Sequence, residues 1–172
     1  MKYIKRFNKK FESIVTDLDC NDENINDLTN LPDTLEKLRC SLNNLHTLPK
    51  LPDTLRYLDC TRNRLERLPN LPDGLEILYC YENELIELPK LPDTLFILSC
   101  ADNKLSELPI LPDGLKELYC QDNNLSELPL LPNTLRTLTC SRNNLPYNDL
   151  IGYKKWLEEN HPEIGGANKF NI

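Results

Sequence analysis

Residues 31–50 read LPDTLEKLRCSLNNLHTLPK and residues 51–70 read LPDTLRYLDCTRNRLERLPN, and this twenty-residue pattern continues to residue 144. The shared repeat is L-x-x-L-x-C-x-x-N-x-L-x-x-L-P-x-L-P-D-[TG]. A less regular row precedes it, with apolar residues in the matching columns at Val15, Leu18, Cys20, Ile25 and Leu28. Because a fixed period of this length is the signature of stacked repeats, we expect a solenoid over residues 15–150. It has seven coils, of which the first and the last are degenerate.

Each coil contains one short strand. Leu38 and Cys40 are two residues apart and therefore share one face of an extended segment, while Lys37, Arg39 and Ser41 take the other face. A single coil cannot bury its own apolar face, but stacked coils can, and their strands then pair in parallel. We expect a right-handed solenoid with a parallel β-sheet on its concave face and short helical caps at its ends.

The remainder of the coil is too short for a proper helix. Its Leu-Pro-x-Leu-Pro-Asp stretch favours extended or polyproline backbone on the convex side. In turns such as Pro72-Asp73-Gly74, we expect aspartate to bond nearby backbone and glycine to supply positive φ. The alternative for the aspartate column is calcium binding. That column comprises Asp33, Asp53, Asp73, Asp93 and Asp113.

Both ends of the solenoid need a cap, because an exposed terminal coil would show its core to water. In residues 1–14, apolar side chains recur at helical intervals at Tyr3, Phe7, Phe11 and Ile14, which predicts an N-terminal cap. Residues 151–172 are predicted to form a C-terminal helical cap with a flexible tail. We expect Asn148 to cap a helix over residues 149–159, with Leu150, Tyr153, Trp156 and Leu157 lying over the last coil.

The repeat pattern resembles the leucine-rich-repeat superfamily, and its twenty-residue length with doubled Leu-Pro resembles the short bacterial type found in effectors of enteric pathogens. Similar short repeats occur in proteins predicted from giant DNA viruses. The resemblance implies a concave sheet that meets a partner. About 14 residues precede the repeats and about 22 follow them. We therefore expect neither the helical secretion segment nor the C-terminal ubiquitin-ligase domain of some of those effectors.

The seven cysteines lie at intervals of twenty residues. Metal sites need clustered ligands, and stacked parallel side chains suit a disulfide poorly, so we predict a structural cysteine ladder that fills the core. This implies a reducing compartment, a cytoplasm or a host-cell cytoplasm. No metal, cofactor or catalytic residue is expected, and the chain is predicted not to be an enzyme. The ladder comprises Cys20, Cys40, Cys60, Cys80, Cys100, Cys120 and Cys140.

An asparagine follows each regular strand, three residues after the cysteine. A buried amide at a strand end can satisfy backbone groups of its own turn and of the neighbouring coil, which predicts a structural asparagine ladder. The ladder comprises Asn43, Asn63, Asn83, Asn103, Asn123 and Asn143.

Charge and hydropathy limit the classes of partner. The formal net charge of −7 argues against nucleic-acid binding, which needs a basic surface. No apolar run approaches the ~18 residues of a membrane span. The basic residues near the start, among them Lys5 and Lys9, are interpreted as the solvated face of a capping helix rather than a membrane contact.

The outward strand positions differ from coil to coil, whereas the other columns of the repeat are nearly constant. Aromatic and aliphatic side chains gather there in the central coils, a composition that favours protein interfaces. We therefore predict a protein-binding scaffold. The alternative is a purely structural or self-assembling solenoid, and the pattern leaves the partner and the oligomeric state open. The predicted partner-binding residues are Tyr57, Ile77, Tyr79, Tyr81, Phe96, Ile97 and Tyr119.

Overall fold

A computed structural model describes residues 15–162, which contain seven strands and one helix. Each strand has three residues, and helix α1 spans Leu150–Asn160. The predicted N-terminal cap and the predicted tail after residue 162 lie outside the described residues. The strands are β1 (Asp17–Asp19), β2 (Lys37–Arg39), β3 (Tyr57–Asp59), β4 (Ile77–Tyr79), β5 (Ile97–Ser99), β6 (Glu117–Tyr119) and β7 (Thr137–Thr139).

The strands form one parallel sheet in chain order, β1 to β7. Every pair keeps the register of the repeat, so that Leu38 stands beside Leu58 and Leu58 beside Leu78. This confirms the predicted solenoid and its parallel sheet. The constant register follows from the constant coil length, because one coil of twenty residues moves the chain up by one strand.

The core is a single apolar column that runs through the stack of coils. The middle residue of every strand points inward and is buried, and Leu38, Leu58, Leu78 and Leu98 are fully inaccessible. Leucines from the two other sides of the coil close the column. Burying a leucine side chain stabilises the folded state by roughly 1.5–3 kcal/mol, and most apolar residues of the repeat are buried in this column.

The residue two positions after each cysteine adopts left-handed backbone, with φ of 50–57°. None of the described glycines has positive φ, so the prediction that glycine supplies it in the Pro-Asp-Gly turns was wrong. The chain reverses directly after the strand instead, and this reversal turns the following asparagine inward. A non-glycine residue there costs on the order of 1–3 kcal/mol, which the bonds of the asparagine offset. The positions concerned are Asp22, Leu42, Arg62, Glu82, Asp102, Asp122 and Arg142.

Neighbouring Pro-Asp turns are joined by threonine hydroxyls. The Oγ1 atom of Thr54 donates to the carbonyl oxygens of Asp33 and Leu35, both at 2.8 Å. Thr94 and Thr134 make the equivalent pair of bonds. The prediction gave the backbone bonding of this turn to aspartate, but it is the adjacent threonine that ties one coil to the next.

Helix α1 covers the last coil and packs on β7. Its N-cap is Asp149, whose Oδ1 accepts a hydrogen bond from the Gly152 N–H at 2.8 Å. The prediction placed the cap at Asn148, one residue too early. Asn148 is held in the edge of the sheet, because its carbonyl oxygen accepts from the Cys140 N–H at 3.0 Å. Buried Tyr147, Tyr153 and Leu157 then close the core at this end.

Candidate functional site: the outward face of the sheet

The outward face is the side of the sheet opposite the leucine and cysteine core, and the sheet register places its side chains in two rows. In the first row, Tyr57, Ile77, Ile97 and Glu117 lie side by side across β3 to β6. In the second row, Asp59, Tyr79, Ser99 and Tyr119 do the same. Alternation along each short strand therefore brings five of the seven predicted partner-binding residues onto adjacent strands.

Tyr57 and Tyr79 contact each other diagonally between β3 and β4. Their ring centroids are 5.8 Å apart at an interplanar angle of 76°, an edge-to-face arrangement. The ammonium of Lys37, on β2, lies 4.7 Å from the centroid of the Tyr57 ring. The N-terminal side of the aromatic cluster is therefore already occupied by a cation of the chain itself.

Ser99 on β5 and Ala101, two positions after it, are small residues that point outward yet are only 8% and 2% exposed. Tyr79 and Tyr119 flank Ser99 in the register of the sheet. Side chains on the neighbouring strands therefore cover these small residues. The centre of the face is formed by the tyrosines on each side of β5 rather than by β5 itself.

Carboxylate groups lie near these tyrosines. The hydroxyl of Tyr119 donates to Oε2 of Glu117 at 3.0 Å, and this bond raises the pKa of the Tyr119 phenol. Partial burial, followed by the charges of Glu117 and Asp59, raises the pKa of Tyr79. Burial and Asp59 raise the pKa of Tyr57. All three phenols remain neutral hydrogen-bonding groups at physiological pH.

Just beyond β6, the side-chain amide of Gln121 has an unsatisfied acceptor. Its Oε1 atom is buried and lacks a hydrogen-bond partner within the part of the chain that the structure describes. A buried acceptor without a donor costs about 1–3 kcal/mol. Alternation along the chain turns Gln121 outward, and the packing around it encloses its oxygen.

Tyr81 and Phe96, the other two predicted residues, lie outside the strands. Tyr81 follows β4 by two positions, and Phe96 precedes β5. The ammonium of Lys116 lies 5.4 Å from the centroid of the Phe96 ring. Sequence reasoning missed the contributions of Glu117 and Lys37, although strand alternation had already turned both of them outward.

Ion pairs border the outward face. The guanidinium of Arg39 contacts Asp17 and Asp19 on β1 at 3.1 and 2.9 Å. Arg62 contacts Glu82 at 3.0 Å in the left-handed column. Within that column, burial and the neighbouring Asp122 and Glu82 raise the pKa of Asp102. Exposed pairs of this kind contribute only about 0–1 kcal/mol each, so they shape the charge of the rim more than the stability of the fold.

The six ladder asparagines make the same set of bonds in each coil. The Nδ2 group of Asn63 donates to the carbonyls of Cys40, Cys60 and Thr61 at 2.9–3.1 Å. Its Oδ1 atom accepts from the N–H of Leu45 at 3.0 Å. Each amide thus bonds to its own strand end and to the preceding coil. The pattern recurs at Asn43, Asn83, Asn103, Asn123 and Asn143.

Comparison with solved structures identifies the architecture. The chain is 44% identical to YopM from Yersinia enterocolitica, with a TM-score of 0.68. It is 37% identical to a Shigella effector LRR domain, with a TM-score of 0.72 over 80% of this chain. Its fold is that of the leucine-rich-repeat proteins. The predicted short bacterial effector type of repeat is confirmed.

The leucine-rich-repeat chain is shorter than these relatives. It covers 26% of the YopM chain, and 69% of its own length matches. It covers 61% of the Shigella domain. No family model matches the sequence, and no curated protein matches it significantly. The shared feature is therefore the repeat architecture itself.

The cysteine ladder of this leucine-rich-repeat solenoid has a described counterpart. The functional domain of InlJ from Listeria monocytogenes, which includes a cysteine ladder, is 32% identical with a TM-score of 0.66. It matches over 81% of this chain, which covers 33% of the InlJ chain. In the present solenoid, all seven ladder cysteines are buried free thiols. Burial raises the pKa of the Cys60 and Cys80 thiols well above the usual value, so they stay protonated and unreactive at neutral pH.

The described residues contain no cluster of His, Cys, Asp or Glu that could hold a metal ion. Helix α1 is too short and too polar to cross a membrane. Shallow grooves lie on the Leu-Pro side of the solenoid, and equivalent residues line them in successive coils: Lys50 and Leu51 in one, Lys90 and Leu91 in another. These grooves have equivalent linings in successive coils, so they do not distinguish one coil from another. The outward face does, because its residues differ from coil to coil.

Proposed function

We propose that this chain is a non-enzymatic scaffold that binds a protein partner on the outward face of its sheet. The observation that carries the proposal is the contrast between columns: inward positions repeat in every coil, whereas outward positions change and gather tyrosine in the central coils. The proposed contact residues are Tyr57, Ile77, Tyr79, Tyr81, Phe96, Ile97 and Tyr119.

The chemistry of this face suits a protein interface. Tyrosine offers a large, rigid ring with a polar tip, and Ile77 and Ile97 add aliphatic area between the rings. Charged residues such as Asp59, Arg62 and Glu82 border it. An apolar centre with a polar rim is the usual anatomy of a protein interface.

The test is an affinity pull-down with the wild type beside the double variant Tyr79→Ala/Tyr81→Ala. Binding of the recovered partner should weaken by about 2 kcal/mol or more, because a few central aromatics dominate most interfaces. The thermal unfolding midpoint should change little, since neither side chain enters the core. Lys90→Ala, at an exposed position on the Leu-Pro side, is the control. A partner whose affinity follows Lys90 and ignores both tyrosines would contradict the proposal.

A second candidate function is self-assembly. Ile110 and Leu130 are 88% and 62% exposed on the Leu-Pro side in successive coils, where other coils carry Lys50, Asn70 and Lys90. Sedimentation velocity over a range of concentrations distinguishes the two functions. A discrete oligomer that disappears in the Ile110→Asn/Leu130→Asn variant and persists in the tyrosine variant would favour assembly.

We also infer a reducing compartment, a cytoplasm or a host-cell cytoplasm, because the buried thiols fill core space that an oxidised sulfur would disrupt. The proposed organisation is a solenoid over residues 15–150 between caps at residues 1–14 and 151–172. The packing of α1 on β7 supports the C-terminal cap.

A further inference from the structure

We propose that the segment bound on the outward face is an extended, basic peptide whose arginine or lysine side chain lies between Tyr79 and Tyr119 and pairs with Glu117. This inference rests on the proposed function and specifies the chemistry of the partner. It is carried by the arrangement of the tyrosines around β5 and by the charges beside them.

The first step concerns space. Tyr79 and Tyr119 stand on strands separated by one intervening strand, so their backbones are two strand spacings apart, roughly 10 Å. The residue between them is the small Ser99, which leaves no large side chain of β5 between the rings. A cation seated midway would lie within the ~6 Å at which an aromatic ring attracts positive charge.

The second step concerns charge. Glu117 receives its hydrogen bond from a neutral partner, the hydroxyl of Tyr119, and forms no ion pair among the described residues. Two cations of the chain already have partners: Lys116 lies over the Phe96 ring, and Arg62 contacts Glu82. Glu117 and Asp59 therefore place negative charge beside Tyr79, and together with burial, the larger cause, they raise the pKa of its phenol.

The third step is a precedent within the molecule. The Lys37 ammonium lies 4.7 Å from the Tyr57 ring centroid on the same face. The outward face thus already holds one cation against a tyrosine ring. The equivalent position over Tyr79 and Tyr119 has the rings and a carboxylate, and the partner would supply the cation.

The experiment is selection of a random twelve-residue phage-displayed peptide library on the folded wild-type protein. The selected peptides should be enriched in arginine or lysine, and their synthetic forms should bind more weakly as salt rises. Replacing the basic residue by citrulline or by acetyl-lysine should reduce affinity at least tenfold. Nucleic acid is not the expected ligand, because the chain carries a net charge of −7.

The variants separate this inference from the proposed function. Glu117→Gln keeps an acceptor for Tyr119 and should weaken the basic peptides at least tenfold. Glu107→Gln, at an exposed position outside the sheet, should have no effect. Peptides that need Tyr79 but are neutral or acidic would overturn the basic partner and leave the proposed function standing. No enrichment, or peptides indifferent to Tyr79→Ala, would overturn both.

Discussion

The two sides of one strand in this protein obey different rules. On β4, Leu78 is fully buried, and a leucine occupies its position in all seven strands. Beside it, Tyr79 is half-buried, and the residues at its position in the other coils differ in charge and size: Asp19, Arg39, Asp59, Ser99, Tyr119 and Thr139. A position that faces the core therefore carries the same residue in every coil, whereas the adjacent position on the outward side carries different residues.

The physical reason is the stacking of equivalent positions. An inward side chain packs against copies of itself in the coils on each side, so a change in volume creates a cavity or a clash in a closely packed column. An outward side chain meets solvent and lateral neighbours that adapt more easily. Variation is therefore informative about binding only on the outward side, and each prediction below tests a column of the scaffold against that rule.

The largest expected effect is loss of stability in mild alkali through the cysteine ladder. Burial raises the pKa of Cys40, Cys60 and Cys80 well above the usual value in the folded chain, whereas unfolded thiols ionise from about pH 8.5. The folded state thus holds these protons more tightly, so its stability is intact below about pH 8.5 and falls as pH rises. Each such thiol should lower the free energy of unfolding by about 1.4 kcal/mol per pH unit above that point.

Urea unfolding at pH 7.0, 8.5 and 9.5 measures this loss. The tyrosine phenols become important only near pH 10, the range in which they ionise in an unfolded chain, so a loss that starts earlier belongs to the thiols. The Cys80→Ala variant should show a shallower dependence on pH than the wild type. Equal free energies of unfolding at pH 7.0 and 9.5 would show that the ladder thiols are not protected by burial.

The asparagine ladder should give the next largest effect. Asn123 is buried, donates to the carbonyls of Cys100 and Cys120, and accepts from the Leu105 N–H. Asn123→Ala strands these backbone groups and should cost about 1–3 kcal/mol in chemical denaturation. The matched control is Asn124→Ala at the next position, where the side chain is exposed and the change should stay within about 0.5 kcal/mol. Similar losses at both positions would contradict a structural role for the ladder.

The smallest predicted effect is a gain in stability at Gly114, where the scaffold itself varies. Gly114 replaces the threonine whose hydroxyl ties neighbouring turns, and its φ is not positive. A Cβ atom there would lie 3.7 Å from the Asp93 carbonyl oxygen, an ordinary contact. Gly114→Thr should therefore raise stability by about 1 kcal/mol through lower unfolded-state entropy and added hydrogen bonds.

The control for this gain is Gly74→Thr, at the equivalent position two coils earlier. There the added Cβ would collide with the guanidinium of Arg56, which would have to move. The increase in melting temperature should thus be smaller than for Gly114→Thr. If both variants were destabilised, the choice of glycine instead of threonine at these two positions would not be explained by the hydrogen bonds of the turn.

Prediction from sequence succeeded where the same short pattern recurs in every coil. A single Leu-x-Cys segment is too short to assign a strand, but seven copies at one spacing specified the sheet, its register and the inward columns. Prediction from sequence failed where a residue adopts a backbone conformation or a capping role that its type does not usually favour. The left-handed backbone lies at Leu42 and its counterparts instead of at glycine, and the helix begins after Asp149 because Asn148 is held by β7.

By itself, the sequence determined which side of each strand faces the core, because a period of two within a period of twenty leaves no other way to bury the leucines. Only the tertiary structure decided how the outward side chains meet. The contact of Tyr57 with Tyr79, the cover over Ser99 and the enclosed oxygen of Gln121 depend on neighbours one or two coils away. Side-chain packing between coils, which no single repeat contains, is their physical cause.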